Sequence, residues 1–266
     1  MVRLALAFAA LACLWAPAAA QPGQKQQAWT VDHGKAECSL GRFVGPDART
    51  LFAIRVTPGM QGGAIWLVNL PDGRRRKPSR IVFRPGDVGL KGALQERKVA
   101  GGVAHTVTIA PEEMTLLQSA KNITVRSGND EMATFALPGL AKGLDALREC
   151  ERSTLAAWGI DPEDHFALRA PPRGERELFN YVTHQDYPNG AAARGESGDV
   201  VMRIDVAADG KLSSCAVLES SGFRELDERS CDVLRKRAKF VPAVSADGRA
   251  VAGSLVSKMS WRVYNH

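Results

Sequence analysis

The cysteines are the residues of this chain with the clearest chemistry, because a thiol can form a disulfide, bind zinc or take part in redox exchange. Cys13 lies in an apolar N-terminal stretch, and the other four are Cys38, Cys150, Cys215 and Cys231. No spacing gives a CxxC pair, so neither a zinc ribbon nor a thioredoxin-like redox pair is indicated. In an exported chain, an even set of four indicates two disulfides, and spacing alone leaves three connectivities open.

The histidines and acidic residues give little indication of catalysis or metal binding. The histidines are far apart in sequence: His33, His105, His165, His184 and His266. The closest approach to a metal cluster is His165 near Asp161, Glu163 and Asp164, in a polar segment where solvated charge is the commoner explanation. GxSxG, SxxK, HExxH, Walker A and GxGxxG motifs are all missing from the sequence. We therefore expect a protein that is not an enzyme and needs no metal or cofactor; an enzyme that uses the N-terminal domain is the weakest alternative.

The first twenty residues have the composition of a secretory signal. Arg3 precedes an apolar stretch from Leu4 to Trp15, and residues 16–20 are small residues or proline, of the kind that a signal peptidase accepts. A membrane-spanning helix needs about 20 apolar residues, and Pro17 ends this stretch early. We expect residues 1–20 to be a cleaved signal peptide and the protein to be periplasmic. The alternative is a retained anchor, with the protein in the inner membrane facing the periplasm.

The remaining chain is long enough for two domains. Its formal net charge of +6, one less without Arg3, is too small to indicate nucleic-acid binding. Between residues 28 and 160, short apolar runs separated by glycine, proline and aspartate turns predict a mostly-β domain, interrupted by helices at about 111–120 and 140–158. Residues 161–186 contain adjacent prolines, a charged run and little apolar periodicity, so we expect a linker there.

Residues 187–264 have the clearest pattern in the chain. Apolar residues alternate with polar ones from Val200 to Val206, as in a half-buried strand, and Asp209-Gly210 is a hairpin turn signal. A second strand, a helix with Asp227 as its N-cap and a last strand from Leu255 to Val263 follow. Together with the N-terminal region, this pattern predicts an α+β protein.

These elements carry motifs that resemble the TonB C-terminal domain family. The motifs are Tyr187-Pro188, Gly198, Asp209-Gly210, Ser220-Ser221-Gly222, Leu226-Asp227, Phe240-Val241-Pro242-Ala243 and Asp247-Gly248. The resemblance implies a helix packed on a three-stranded antiparallel sheet. The preceding domain loosely resembles N-terminal modules found ahead of TonB domains in some alphaproteobacterial proteins.

The resemblance implies a protein that binds a peptide or protein partner by strand addition. In that family, the partner is a segment of an outer-membrane receptor, and binding transmits the inner-membrane proton gradient for transmembrane transport. The last strand is the expected edge, with Val256, Lys258, Ser260 and Arg262 facing the partner. A plain structural strand and a homodimer contact through the sheet edge are alternatives for that strand. For the whole protein, the alternative is a stand-alone envelope or cell-wall interaction module without energy transduction.

The division into domains suggests how the cysteines pair. One pair falls in each domain: Cys38 with Cys150 at the two ends of the first, and Cys215 with Cys231 between the second strand and the helix of the other. In the chain-entropy account, closing a loop of about 15 residues stabilises a fold by roughly 3 kcal/mol, and a loop of about 100 residues by nearly 5 kcal/mol.

Overall fold

A computed structural model describes residues 28–60, 62–71, 77–84, 88–100 and 102–263 of the chain. The predicted signal peptide lies outside the described residues. Within them, no helix combines the length and the apolar character that crossing a membrane requires.

The N-terminal domain is rich in strands, as predicted from its short apolar runs. Its strands are β1 (Thr30–His33), β2 (Cys38–Val44), β3 (Thr50–Val56), β4 (Gly63–Val68), β5 (Arg80–Arg84), β6 (Val88–Gly89), β7 (Gln95–Val99), β8 (Gly102–Ile109), β9 (Asn122–Ser127) and β10 (Asp130–Ala136). Its helices are α1 (Pro111–Ser119) and α2 (Leu140–Ala157). They confirm the two helices expected at 111–120 and 140–158.

Two antiparallel sheets share one apolar core in this domain. The first has the strand order β1-β2-β3-β4-β8-β7, and the second has the order β10-β9-β5-β6. Side chains alternate across a strand, so Phe52 and Ile54 of β3 reach the core together with Ile123 of β9. Leu117 of α1 and Leu147 of α2 complete the same core.

The C-terminal part begins with short elements and ends in a three-stranded sheet. Its elements are α3 (Pro162–Ala167), β11 (Arg173–Gly174), α4 (Asn189–Ala193), β12 (Gly198–Val206), β13 (Leu212–Glu219), α5 (Arg224–Arg237), β14 (Phe240–Val241), β15 (Ala243–Val244), β16 (Ala250–Val251) and β17 (Gly253–Trp261). The main sheet is antiparallel with the order β13-β12-β17, while β11 pairs with β14 and β15 with β16. The expected strand, turn, strand, helix, strand order is confirmed.

Helix α5 covers one face of the main sheet. Leu226 and Leu234 of α5 lie in one apolar cluster with Met202 and Ile204 of β12. Trp261 of β17 joins the same cluster, and its indole N–H donates to the hydroxyl of Ser230 on α5 at 2.8 Å. The buried polar groups of this core are therefore paired, as a stable interior requires.

Helix α5 begins four residues earlier than its sequence predicts. We expected Asp227 as the N-cap, but the helix starts at Arg224. The Asp227 carboxylate instead accepts hydrogen bonds from the hydroxyl of Ser220 and from the backbone N–H of Ser221, at 2.6 and 2.8 Å. The carboxylate oxygens therefore bind the preceding loop and hold that loop against the first turn of the helix.

The segment from 161 to 186, expected as a linker, is ordered and packed. Asp161 caps α3 by accepting from the backbone N–H groups of Glu163 and Asp164. Further on, the buried Tyr181 donates from its hydroxyl to the carbonyl of Lys239 at 3.2 Å. β11 adds a short pairing to β14. The segment is therefore not an extended chain, although its composition is charged. It is hydrogen-bonded to later parts of the chain.

The two domains share a small apolar core of their own. Leu155 at the end of α2 and Ile160 just after it pack with Val201 of β12 and Val256 of β17. Alternation along a strand places these two valines on the sheet face opposite α5. The main sheet is thus covered on one face by α5 and on the other by the N-terminal domain.

The four cysteines form two pairs at disulfide distance. Cys38 lies beside Cys150 with the Cα atoms 6.1 Å apart, and Cys215 lies beside Cys231 with the Cα atoms 5.8 Å apart. These are the pairs that the division into domains suggests. The first links β2 to α2, and the second links β13 to α5.

Candidate functional site

The outer edge of β17 is regular along its whole length. β17 pairs with β12 from Gly253 opposite Val206 to Trp261 opposite Gly198, with no shift of register. A strand without bulges presents its outward backbone groups at even spacing, which is the geometry that an added strand requires.

The opposite edge of the sheet, formed by β13, is irregular and partly covered. Its pairing with β12 shifts register between Val201 and Met202 and again between Asp205 and Val206. Such irregularities twist a strand away from regular pairing. The guanidinium of Arg235 donates to the carbonyl of Cys215 at 3.1 Å, which occupies a backbone acceptor of β13. The two edges of the sheet are therefore not equivalent as sites for another strand.

The outer edge of β17 is occupied at one end and unpaired at the other. The backbone N–H of Val256 donates to the carbonyl of Gly59 in the N-terminal domain at 3.2 Å, so it points away from β12. Because outward groups alternate along an antiparallel strand, those of Lys258 and Ser260 point the same way. Within the part of the chain that the structure describes, these outward backbone groups have no hydrogen-bond partner.

The four residues predicted to face a partner have different surroundings. Lys258, Ser260 and Arg262 are exposed, whereas Val256 is buried in the core shared by the two domains. Arg262 donates to the Asp199 carboxylate at 2.6 Å. The structure therefore leaves three of the four side chains accessible and removes Val256 from contact with a partner.

Gly59 fits tightly against β17. Its φ of +80° lies in the region that favours glycine, and a Cβ atom there would lie 2.7 Å from Cγ2 of Val256. The backbone N–H of Met60 donates to the carbonyl of Thr57 at 2.9 Å and closes this turn. The sequence contains a glycine at the turn but no cue that the turn would contact a strand almost 200 residues away.

A groove of about 500 Å³ lies beside residues 255–258 of β17, between Gly59 and Met60 of the turn and the segment 172–179. Two exposed apolar side chains line it: Met60 is 43% exposed and Phe179 is 67% exposed. Charged residues of both signs complete the lining: Arg173, Glu175, Arg176, Glu177 and Lys258. Sequence reasoning named Lys258 but missed the other lining residues, because three separate segments of the chain form the groove. We call this space the edge groove.

A second cavity, of about 570 Å³, lies between α3 and the ends of β12 and β17. Its polar groups largely bind one another. Arg203 donates to the Asp205 carboxylate at 2.7 Å and to the carbonyl of Gly159 at 2.7 Å, and Ser254 donates to Asp205 at 2.6 Å. His165 also lines the cavity, and burial together with Arg148 lowers its pKa. Among the described residues, no three histidine, cysteine or acidic side chains are grouped as metal ligands would be.

A comparison with protein families matches the C-terminal part of the chain. Residues 183–263 match the family model described as Gram-negative bacterial TonB protein C-terminal. The match begins four residues before the boundary expected from sequence, and it leaves the N-terminal domain unmatched. No curated protein is similar enough to be matched.

A search of solved structures finds the NMR solution structure of a Helicobacter pylori TonB C-terminal domain, residues 179–285 of that protein. The identity is 14%, the match covers 41% of this chain and 88% of the other, and the TM-score is 0.26. At that score, no detail of the edge groove is transferred from one protein to the other.

Proposed function

We propose that the TonB-type C-terminal domain, which spans residues 183–263, binds an extended segment of a protein partner by strand addition to the outer edge of β17. The observation that supports this is that, among the residues that the structure describes, the outward backbone groups of Lys258 and Ser260 on a regular strand have no hydrogen-bond partner. Main-chain hydrogen bonds to such an edge provide affinity with little demand on partner sequence. Binding by this route requires no catalytic group, metal or cofactor, and we propose a non-enzymatic function.

We further propose that the protein is periplasmic, with residues 1–20 as a cleaved signal peptide. The partner is then a segment of an outer-membrane receptor or another envelope protein, and binding contributes to energy transduction for transport. Pairing of the β17 edges of two copies would give a homodimer and would compete with this partner.

A second candidate function is an envelope interaction module that transmits no energy. The packing of the N-terminal domain on the C-terminal sheet favours it. Leu155 and Ile160 cover the sheet face opposite α5, so the C-terminal domain is fixed to a folded neighbour rather than carried on a free spacer. Sequencing the mature N-terminus separates the two candidates. Gln21 as first residue favours the module, whereas retention of Met1 in the inner membrane favours transduction.

The test of strand addition is a proline at position 258. Lys258→Pro removes an outward N–H that takes no part in the pairing with β12, and proline is tolerated where that group faces solvent. Lys258→Ala, which removes the same side chain but keeps the N–H, is the matched control. The probes are peptides selected on the purified protein from a random heptapeptide phage library and resynthesised with a fluorescein label.

We expect Lys258→Pro to weaken peptide binding about tenfold or more, measured by fluorescence anisotropy. One lost backbone hydrogen bond contributes about 1 kcal/mol, and the proline ring adds a clash with the guest strand. Lys258→Ala removes one exposed side chain of the groove lining and should weaken binding by less than about threefold, since a solvated side chain contributes little. Equal binding by the proline and alanine variants would exclude this edge as the site.

A further inference from the structure

We propose that the N-terminal domain forms part of the partner-binding site: its turn at residues 57–60 limits how far a guest strand extends along β17 and, with Phe179, selects a large apolar guest side chain. This inference rests on the proposed strand addition, and it gives the N-terminal domain a direct role in recognition.

The carbonyl of Gly59 already occupies one position of the guest strand. It accepts from the N–H of Val256 at 3.2 Å, as a carbonyl of an added strand would. A guest therefore cannot pair with β17 at Val256 or before it. The open edge runs from Lys258 to the end of β17 at Trp261, a length of about 10 Å at the usual rise of a strand. The guest is a short extended segment of about four residues.

The turn is held firmly in that position. Gly59 lies against Val256 so closely that an added Cβ would also be 3.3 Å from Cδ2 of Leu155. Val256 and Leu155 belong to the apolar core that joins the domains. Displacing the turn would expose this core, so a guest would have to offset that loss before gaining any backbone hydrogen bond. The turn therefore acts as a fixed stop.

Two exposed apolar side chains lie at the stop. The large apolar residues found exposed among the described residues are Phe43, Met60, Phe179 and Val217. Two of these, Met60 and Phe179, line the edge groove, although they come from different parts of the chain. A flexible thioether and an aromatic ring that line one groove suit varied apolar side chains. The guest residue adjacent to the stop is therefore apolar and large, and it lies between Met60 and Phe179.

The test compares two variants of the full-length mature protein. Met60→Ser/Phe179→Ser removes the apolar lining of the edge groove, and Phe43→Ser/Val217→Ser removes the two exposed apolar residues that lie elsewhere. All four positions are exposed, so both proteins are expected to fold, which circular dichroism checks. The probes are the fluorescein-labelled heptapeptides selected on the wild type, each with a partner peptide in which the shared apolar residue is alanine.

We expect the selected peptides to share a large apolar residue at one position. The groove variant should bind them about tenfold more weakly, the loss expected when an apolar side chain is no longer buried, and the control variant should bind as the wild type does. Replacing the shared apolar residue of the peptide with alanine should weaken binding to the wild type about tenfold. It should weaken binding to the groove variant less than about threefold, because the two changes remove one shared contact.

The outcomes separate this inference from the proposed function. Peptides that are sensitive to Lys258→Pro but insensitive to the groove variant would overturn the role of the N-terminal turn and leave strand addition standing. Peptides indifferent to Lys258→Pro, or failure of the wild type to select any peptide, would overturn both.

Discussion

Asp186 ties the end of segment 161–186 to α5, and its removal tests whether that segment is part of the fold. The side chain is 1% exposed. Its carboxylate accepts from the backbone N–H of Thr183 at 2.8 Å, from Arg237 at 2.6 Å and from Arg229 at 3.2 Å. Burial by itself would raise the pKa of Asp186, but the hydrogen bonds from Arg237 and Thr183 outweigh it and lower that pKa to about 2.

The lowered pKa of Asp186 gives the size of its contribution to the free energy of unfolding. A fall from 3.8 to about 2 corresponds to about 2 kcal/mol of stability. The folded pKa lies below the unfolded one, so this stabilisation is complete above pH 3.8 and is lost as the pH falls from there through 2. Arg237 and Arg229 are 45% and 34% exposed and can be rehydrated. We therefore expect Asp186→Asn to lower the free energy of unfolding by about 2 to 3 kcal/mol at pH 7, less than for a fully buried pair.

Urea unfolding followed by tryptophan fluorescence at pH 7 and at pH 2 measures this prediction. Asp199→Asn is the matched control, because its ion pair with Arg262 is at the surface and should contribute under about 1 kcal/mol. The difference in unfolding free energy between Asp186→Asn and the wild type should be smaller at pH 2 than at pH 7. A gap under 1 kcal/mol at pH 7, or one that does not change with pH, would refute the reasoning.

Two further predictions concern the cysteine pair of the C-terminal domain and the buried histidine of the N-terminal domain. Cys231→Ser should destabilise the protein by about 3 kcal/mol in guanidinium unfolding, since Cys215 and Cys231 are 16 residues apart, and wild-type stability unchanged by dithiothreitol would contradict that pairing. His105 is buried with neither ring nitrogen hydrogen-bonded among the described residues, and burial lowers its pKa more than Glu96 raises it. The unfolded state therefore binds more protons below pH 6.5, so stability should fall as the pH drops below that value. His105→Leu should reduce this slope between pH 7.5 and 5, and His165, whose pKa is also lowered, accounts for part of the remainder.

The periodicity of the sequence predicts the elements that fold locally. The alternation from Val200 to Val206 predicts β12, and Asp209-Gly210 predicts the turn after it, because each depends on neighbouring residues alone. The order in segment 161–186 depends on distant partners instead. Tyr181 and Asp186 are held by groups on or beside α5, more than 40 residues further on. Charge and proline content carry no information about such distant partners. The composition of the segment therefore predicts a linker.

The accessibility of the β17 edge could be predicted only in part. Simple alternation assigns Val256 to the solvent face with Lys258, but Val256 is buried against the N-terminal domain. A weak signal was present. Val200-Val201 and Leu255-Val256 are adjacent apolar pairs, and adjacent apolar residues in a strand indicate that both faces are covered. What covers the second face could not be read from the sequence, because it is the end of a helix in another domain.

The position of the N-terminal turn also decides how partner binding and domain packing affect each other. The contact between Gly59 and Val256 lies at one end of the edge, and the outward backbone groups of Lys258 and Ser260 lie beyond it. A guest strand that stops at the turn displaces none of the apolar contacts between the domains. Its binding therefore adds to the stability of the joined domains by mass action and does not compete with their packing. The N-terminal domain thereby shapes the site while it remains docked on the C-terminal sheet.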